Sequence, residues 1–186
     1  MDIVIPENVQ HLYENKQGSE ITKYPHPILR QKAVEVIRYN PELQRLVDRM
    51  IDNLHEGNGV GLAAPQIGVS KRIIIFMPPE ESPKVVVNPV LSDLSKETEV
   101  GLEGCLSIPS VYGDVERSLR VVLTGFNRRG KTVRYELEGF PARIVQHEVD
   151  HLDGILFIDK VDPSTLHWSL PDEDEEEEAI LVEARR

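Results

Sequence analysis

The sequence predicts an α+β domain in which short antiparallel strands form small sheets around a central helix, followed by a C-terminal helix. Three observations lead there. An apolar stripe at helical spacing follows Asn40-Pro41, two β-branched runs joined by a polar turn lie at residues 121–137, and a second apolar-sided helix pattern begins at Pro141. A chain of 186 residues fits one domain with a sizeable core, flanked by tails. The expected division is an N-terminal arm over residues 1–20, a catalytic domain over 21–170 and an acidic helix or tail over 171–186.

The elements follow in order. Residues 1–22 are mixed and polar and read as an irregular arm laid over the surface. Tyr24-Pro25-His26-Pro27 should be extended, because proline restricts the residue before it, with a short helix after it. Asn40 can cap a helix and Pro41 suits its first position. Leu43, Leu46, Val47, Met50, Ile51 and Leu54 then form one stripe, and Gly57 and Gly59 end it. Residues 73–76 and 85–87 are short strand signals, each closed by a proline-containing turn. Residues 121–126 and 132–137 read as a hairpin around Asn127-Arg128-Arg129-Gly130, with Val133, Tyr135 and Leu137 on one face. The next helix starts at Pro141 and stops at Gly154, with Ile144, Val145, Val149 and Leu152 on its apolar side. In the last helix, acids at the positive end and Arg185 and Arg186 at the negative end suit the macrodipole.

Composition narrows the function. The net charge of −11 argues against a nucleic-acid partner, whose phosphates need a basic surface. Seven of those charges form an unbroken acidic run at residues 172–178, which reads as a solvated face or tail. No apolar run reaches the roughly 20 residues needed to span a bilayer. The first 18 residues carry Asp2, Glu7 and Glu14 against Lys16 and have no arginine, so neither a secretory signal nor a transit peptide is expected. The expected location is the cytoplasm. The lone cysteine, Cys105, excludes an intrachain disulfide and leaves core filler, metal ligand or nucleophile as its roles.

The central motif is Gln146-His147-Glu148-Val149-Asp150-His151. Residues four apart share a helix face, so His147 and His151 can hold one cation together. Glu148 lies roughly 100° around from His147, within reach of a reacting water but not obliged to ligate. Asp150 faces away and could either orient a histidine or be solvated. A catalytic divalent ion needs a third ligand. Cys105, in the glycine-containing loop Glu103-Gly104-Cys105-Leu106-Ser107 between two expected strands, is the natural candidate, since thiolate is a strong ligand for a borderline ion. A Cys–His nucleophilic pair would leave the second histidine and the glutamate unexplained. The segment Gly59-Val60-Gly61-Leu62-Ala63-Ala64-Pro65-Gln66 is either a tight turn under the helix or a path cleared for a substrate backbone, with Gln66 presenting its amide. It lacks the ending of a phosphate-binding loop.

Two rivals share parts of this pattern. A zinc peptidase would draw its third ligand from downstream, where Asp159, Asp162 and His167 are the candidates. A structural metal module would close its site with a fourth protein ligand. His11, His26, His55 and His167 show no ligand spacing.

Taken in order, the glycine–alanine–Gln66, Glu103–Ser107 and Gln146–His151 segments closely resemble the three signature motifs of peptide deformylases. The likeness spans residues 21–159 and extends to Tyr24-Pro25, Ile108-Pro109 and Leu152-Asp153-Gly154. The lack of a large insertion between the first two motifs is similar to the shorter bacterial and organellar type. The resemblance implies hydrolysis of the N-formyl group from the first methionine of nascent polypeptides, with release of formate. It implies one Fe2+ per chain, replaceable by Zn2+, Ni2+ or Co2+, on Cys105, His147 and His151. It further implies Glu148 as the proton-transfer group, and Gln66 and the Leu106 N–H as oxyanion donors. Val60, Gly61, Glu103, Gly104, Arg143 and Ile144 would contact or border the substrate, with Gly61 pairing to its backbone and Glu103 braced by Arg117. Arg143 could sit at the rim of the methionine pocket or snorkel at the surface. The implied partner is an N-formylmethionyl peptide met at the ribosome exit.

Overall fold

The computed structural model describes residues 1–14 and 20–169. It contains the expected α+β arrangement, with all strand pairs within its sheets antiparallel. The elements are α1 (Pro41–Glu56), β1 (Gly61–Ala63), β2 (Ile73–Phe76), β3 (Lys84–Ser92), β4 (Thr98–Cys105), β5 (Ile108–Ser118), β6 (Arg120–Phe126), β7 (Thr132–Glu138), α2 (Phe140–Leu152) and β8 (His167–Trp168). One sheet runs β1-β2-β3-β6-β7 and a smaller one runs β4-β5-β8. Short 3-10 turns occupy Glu7–Leu12, Pro27–Arg30, Ala64–Ile67 and Phe157–Asp159.

α1 forms as its sequence dictates. The Asn40 side chain accepts from the Leu43 N–H, and Pro41 takes a position whose missing N–H costs nothing. Leu43, Val47, Met50 and Leu54 pack on Leu62, Ile73, Ile75 and Val87 from one face of the larger sheet. Ile74, Phe76, Val86 and Leu123 point from the opposite face to Ala142, Ile144 and Val145 of α2. β2 is therefore covered on both faces, which explains why its four residues are all large and apolar. Each such buried side chain contributes roughly 1.5–3 kcal/mol of transfer free energy. α2 also reaches β5, and so stands against both sheets.

Besides Tyr24-Pro25, which forms a turn with a cis peptide bond instead of an extended stretch, the structure departs from the sequence reading at three places. β3 does not stop at residue 87 but continues to Ser92 through Pro89. The ladder shifts between Val87 and Val90, and Asn88 adopts φ +50, so the proline sits in a bulge where no N–H is required. β4 and β5 form the longest hairpin, yet they lack apolar alternation. β4 opens with exposed Thr98, Glu99 and Val100, and β5 buries polar Ser110 and Arg117 among its valines. Cys105 consequently ends a strand, ahead of a tight turn, instead of lying in a loop.

The third departure is the N-terminal stretch. It does more than cover the surface, because Val9 is fully buried and Ile3, Ile5 and Tyr13 pack on a third cluster containing Tyr24, Ile108, Val111 and Phe157. The helix expected at the C-terminus lies outside the described residues. No helix among the described residues is long and apolar enough to cross a membrane.

Asp159 ties the first residue of the arm to the rest of the fold, accepting from the Met1 amino group, Arg30 and the Leu156 N–H. Burial works against its charged form, but these bonds outweigh it and hold the carboxyl below its ordinary value. Such a group stabilises the fold above its unfolded pKa and ceases to do so as pH falls through the folded one. Asp159→Asn should cost on the order of 1–2 kcal/mol at pH 7. In denaturant titrations, the gap to the wild type should close as the pH is lowered below the ordinary carboxylate range of about 4.

Candidate metal centre and active site

α2 presents His147 and His151 one turn apart, with ring centroids separated by 4.9 Å. The β4–β5 turn brings Cys105 to them, its Sγ 3.3 Å from His151 Nε2. The three ligand atoms lie within 4.8 Å of one another. Among the described residues this is the sole such cluster, and Asp159, Asp162 and His167 take no part in it. One thiolate and two imidazoles suit a borderline divalent ion, and three donors leave a coordination position open.

Glu103 orients the first histidine. A carboxylate only accepts, so the 2.9 Å contact with Glu103 Oε2 makes His147 Nδ1 the donor and turns Nε2 toward Cys105. Glu103 is itself fixed by Arg117, whose Nε and Nη2 bond its two oxygens at 2.9 Å each. Arg143 adds a third clamp at 2.9 Å. Burial opposes the charge on Glu103, but the bonds from Arg117 and His147 hold its pKa well below the carboxylate range. His147 is pushed up, because its bonds to Cys105 and Glu103 outweigh burial, whereas burial pushes His151 down. The His151 Nδ1 has no hydrogen-bond partner among the described residues.

Glu148 is 3 % exposed, and its Oε2 has no hydrogen-bond partner among the described residues. Burial raises its pKa to about 7, so it can carry a proton at neutral pH. The space around it depends on Gly61, where a Cβ would come 2.2 Å from Glu148 Oε1 and 2.8 Å from Ile144 Cγ2. The glycine thus marks a close approach of β1 to α2. Gln66 is 2 % exposed. Its Oε1 accepts from the Ala63 N–H at 2.8 Å, which aims Nε2 at Cys105 Sγ (3.5 Å) and Ser107 Oγ (3.3 Å).

A strap that sequence reasoning missed ties these pieces together. The Thr22 N–H bonds the Gln66 carbonyl at 2.7 Å and the Tyr24 N–H bonds the Ser107 carbonyl at 2.8 Å. Lys23 Nζ bonds the Leu106 carbonyl at 2.6 Å. These bonds are backbone-directed and carry no side-chain signature that could have revealed them.

Val60, Gly61, Gln66, Glu103, Gly104, Leu106 and Ile144 all line one cleft of about 660 Å3, together with Cys105, His147 and Glu148. Gly104 has Tyr112 against it, since a Cβ there would lie 2.6 Å from the Tyr112 ring. Arg143 borders the cleft, but its guanidinium turns inward. Besides Glu103 it bonds the carbonyls of Glu99 (2.7 Å), Val115 (2.7 Å) and Gly101 (3.3 Å). At 6 % exposure it is not a snorkelling surface residue. Asp150 neither orients a histidine nor lies free in solvent, because it pairs with Arg117 and Lys160.

A small antiparallel α+β domain that converges a Cys/His/His donor set on a buried carboxylate has the make-up of a metal-dependent hydrolase. The family described as polypeptide deformylase matches residues 19–167. A peptide deformylase of Desulforudis audaxviator is 50% identical over 141 residues, covering 76% of this chain and 92% of that protein. The crystal structure of the Thermotoga maritima peptide deformylase aligns with TM-score 0.74 at 42% identity, covering 77% of this chain and 97% of that one. A Met-Ala-Ser-bound class I type b peptide deformylase of Acinetobacter baumannii aligns with TM-score 0.73 at 42% identity, covering 76% and 96%. The chain belongs to the peptide deformylase family, a family of metal-dependent hydrolases.

Removing the Arg143 side chain would leave a buried Glu103 with one clamp fewer and three carbonyls without their donor. Arg143→Leu should therefore lower the unfolding free energy by roughly 3–5 kcal/mol in urea titrations, where a surface arginine would cost well under 1 kcal/mol.

Proposed function

We propose that this protein removes the formyl group from the N-terminal methionine of nascent polypeptides and releases formate. The observation that carries the reading is the convergence of Cys105, His147 and His151 at a cleft whose wall includes Cys105, His147, Glu148 and Gln66. Cys105, His147 and His151 would hold the ion, and the resemblance favours Fe2+, with Zn2+, Ni2+ or Co2+ as substitutes. When bound, the ion acidifies a water and polarises the formyl carbonyl.

The chain's own groups do the rest. Glu148 takes the proton from the attacking water and returns it to the leaving amine nitrogen, and its burial favours proton uptake. Gln66 Nε2–H and the Leu106 N–H donate to the formyl oxygen as it gains charge, and losing one such donor costs about 10²–10³ in rate. β1 is the outer strand of its sheet, so its open edge at Gly61 can pair with the extended substrate backbone. Val60 and Ile144 receive the methionine side chain. Glu103 and Gly104 shape the cleft wall from the cysteine strand, and Arg143 holds Glu103 there.

The catalytic domain is residues 21–170. The partner is a formylated nascent chain in the cytoplasm, met as it leaves the ribosome. With a net charge of −11, the protein would engage that chain without binding nucleic acid directly.

The test is formate release from formyl-Met-Ala-Ser by the iron-loaded protein under anaerobic conditions. Activity should vanish with a chelator and return with Fe2+; no formate from the loaded protein would overturn the reading. Glu148→Ala should keep its metal content and lose about 10²–10⁴ in kcat. Gly61→Ala should fold but lose roughly 10²-fold in kcat/KM, because the new methyl displaces the Glu148 carboxylate.

A further inference from the structure

Leu12 precedes the segment that matches the family at residues 19–167, yet it lines the cleft. We propose that Leu12, on this N-terminal arm, forms an apolar subsite for one side chain of the peptide downstream of its methionine. The inference rests on the function proposed above and adds a determinant of substrate choice.

The arm is anchored on both sides of Leu12. Residues Glu7–Leu12 form a 3-10 turn, and Val9 within it is fully buried. The next residue, Tyr13, donates its hydroxyl to the Pro109 carbonyl at 3.0 Å. Its ring lies 6.3 Å from that of Trp168, and its side chain packs on the cluster around Ile108 and Val111. Burial pushes the Tyr13 hydroxyl above its ordinary pKa, so it remains a donor. Leu12 therefore stands between two anchored residues.

Leu12 itself is only half-buried, and it lines the same cleft as Gln66, Cys105, His147 and Glu148. Pro109, whose carbonyl holds Tyr13, lies four residues beyond Cys105 in the chain and also lines the cleft. The formyl group must lie at the ligand cluster and the methionine side chain near Val60 and Ile144. The peptide beyond methionine then runs along the remaining wall, where Leu12 offers an apolar surface held by its anchored neighbours. Little ordering entropy is lost on contact, because Val9 and Tyr13 already fix the turn. A leucine on the substrate should gain roughly three- to tenfold in affinity at the position that meets Leu12.

The experiment uses formyl-Met-Ala-Ala-Ala, variants with leucine placed in turn at the second, third and fourth positions, and formyl-Met amide. The wild type should show a KM lower by that factor for leucine at one position. Leu12→Ala should abolish the gain, leave kcat unchanged and leave formyl-Met amide kinetics untouched, while Leu12→Met should retain most of it. Calorimetric binding of the corresponding peptides without the N-formyl group gives the same comparison without turnover. A wild type with no positional preference overturns the subsite, as does a Leu12→Ala variant impaired equally on every substrate. If no formate were released from any peptide, the proposed function would fail, yet leucine-dependent binding lost in Leu12→Ala would still support the subsite.

Discussion

The buried Glu103 carboxylate is the constraint on which the site depends. It lies at 4 % exposure and is shared by Arg117 from β5 and by Arg143 and His147 from α2. A lone carboxylate in such a place would cost several kcal/mol, and the two guanidiniums offset that only while the geometry is held. Strand β4, strand β5 and helix α2 are thereby locked into one relative position. Cys105, two residues along from Glu103, is delivered to the histidines as a consequence. The network also specifies which His147 nitrogen faces the centre, since Nδ1 is committed to Glu103.

A second set of constraints acts on the opposite wall. Gly61 allows β1 to approach α2 so closely that Glu148 and Ile144 occupy the volume a side chain would need. Gln66 is oriented from within its own turn by the Ala63 N–H, and the Thr22–Tyr24 strap bonds both the Gln66 and the Ser107 carbonyls. The two groups proposed to meet the developing oxyanion thus share one support, although they lie some forty residues apart in the chain. Pre-organisation of this kind is what makes fixed donors effective against developing charge.

Much of the fold was legible where local physics decides it. The Asn40 cap, the stripe from Leu43 to Leu54, the hairpin around Asn127 and Gly130, and the Pro141-to-Gly154 helix all formed as their periodicity indicated. β4 and β5 were not legible, because their buried positions are occupied by polar groups that only a tertiary partner satisfies. Arg117 and Ser110 interrupt the apolar alternation of β5, while the exposed residues at the start of β4 carry no pattern. Pro89 hid the continuation of β3, since a bulge that excuses a proline cannot be read from the residues alone.

The sequence by itself determined that His147 and His151 share a helix face, that Glu148 stands beside them and that Cys105 is the one thiol available. Helical geometry ties residues three and four apart to each other, so no long-range information was needed. Only the tertiary structure decided what surrounds them. Arg143 borders the cleft, one of its two sequence readings, but its guanidinium turns inward to Glu103, and Asp150 goes to Arg117 instead of a histidine. Leu12 and Lys23 reach the cleft from a segment with no catalytic motif. The physical reason is common to all of them. A long polar or apolar side chain chooses its partner by the burial and charge of elements distant in the chain, and sequence spacing does not encode those.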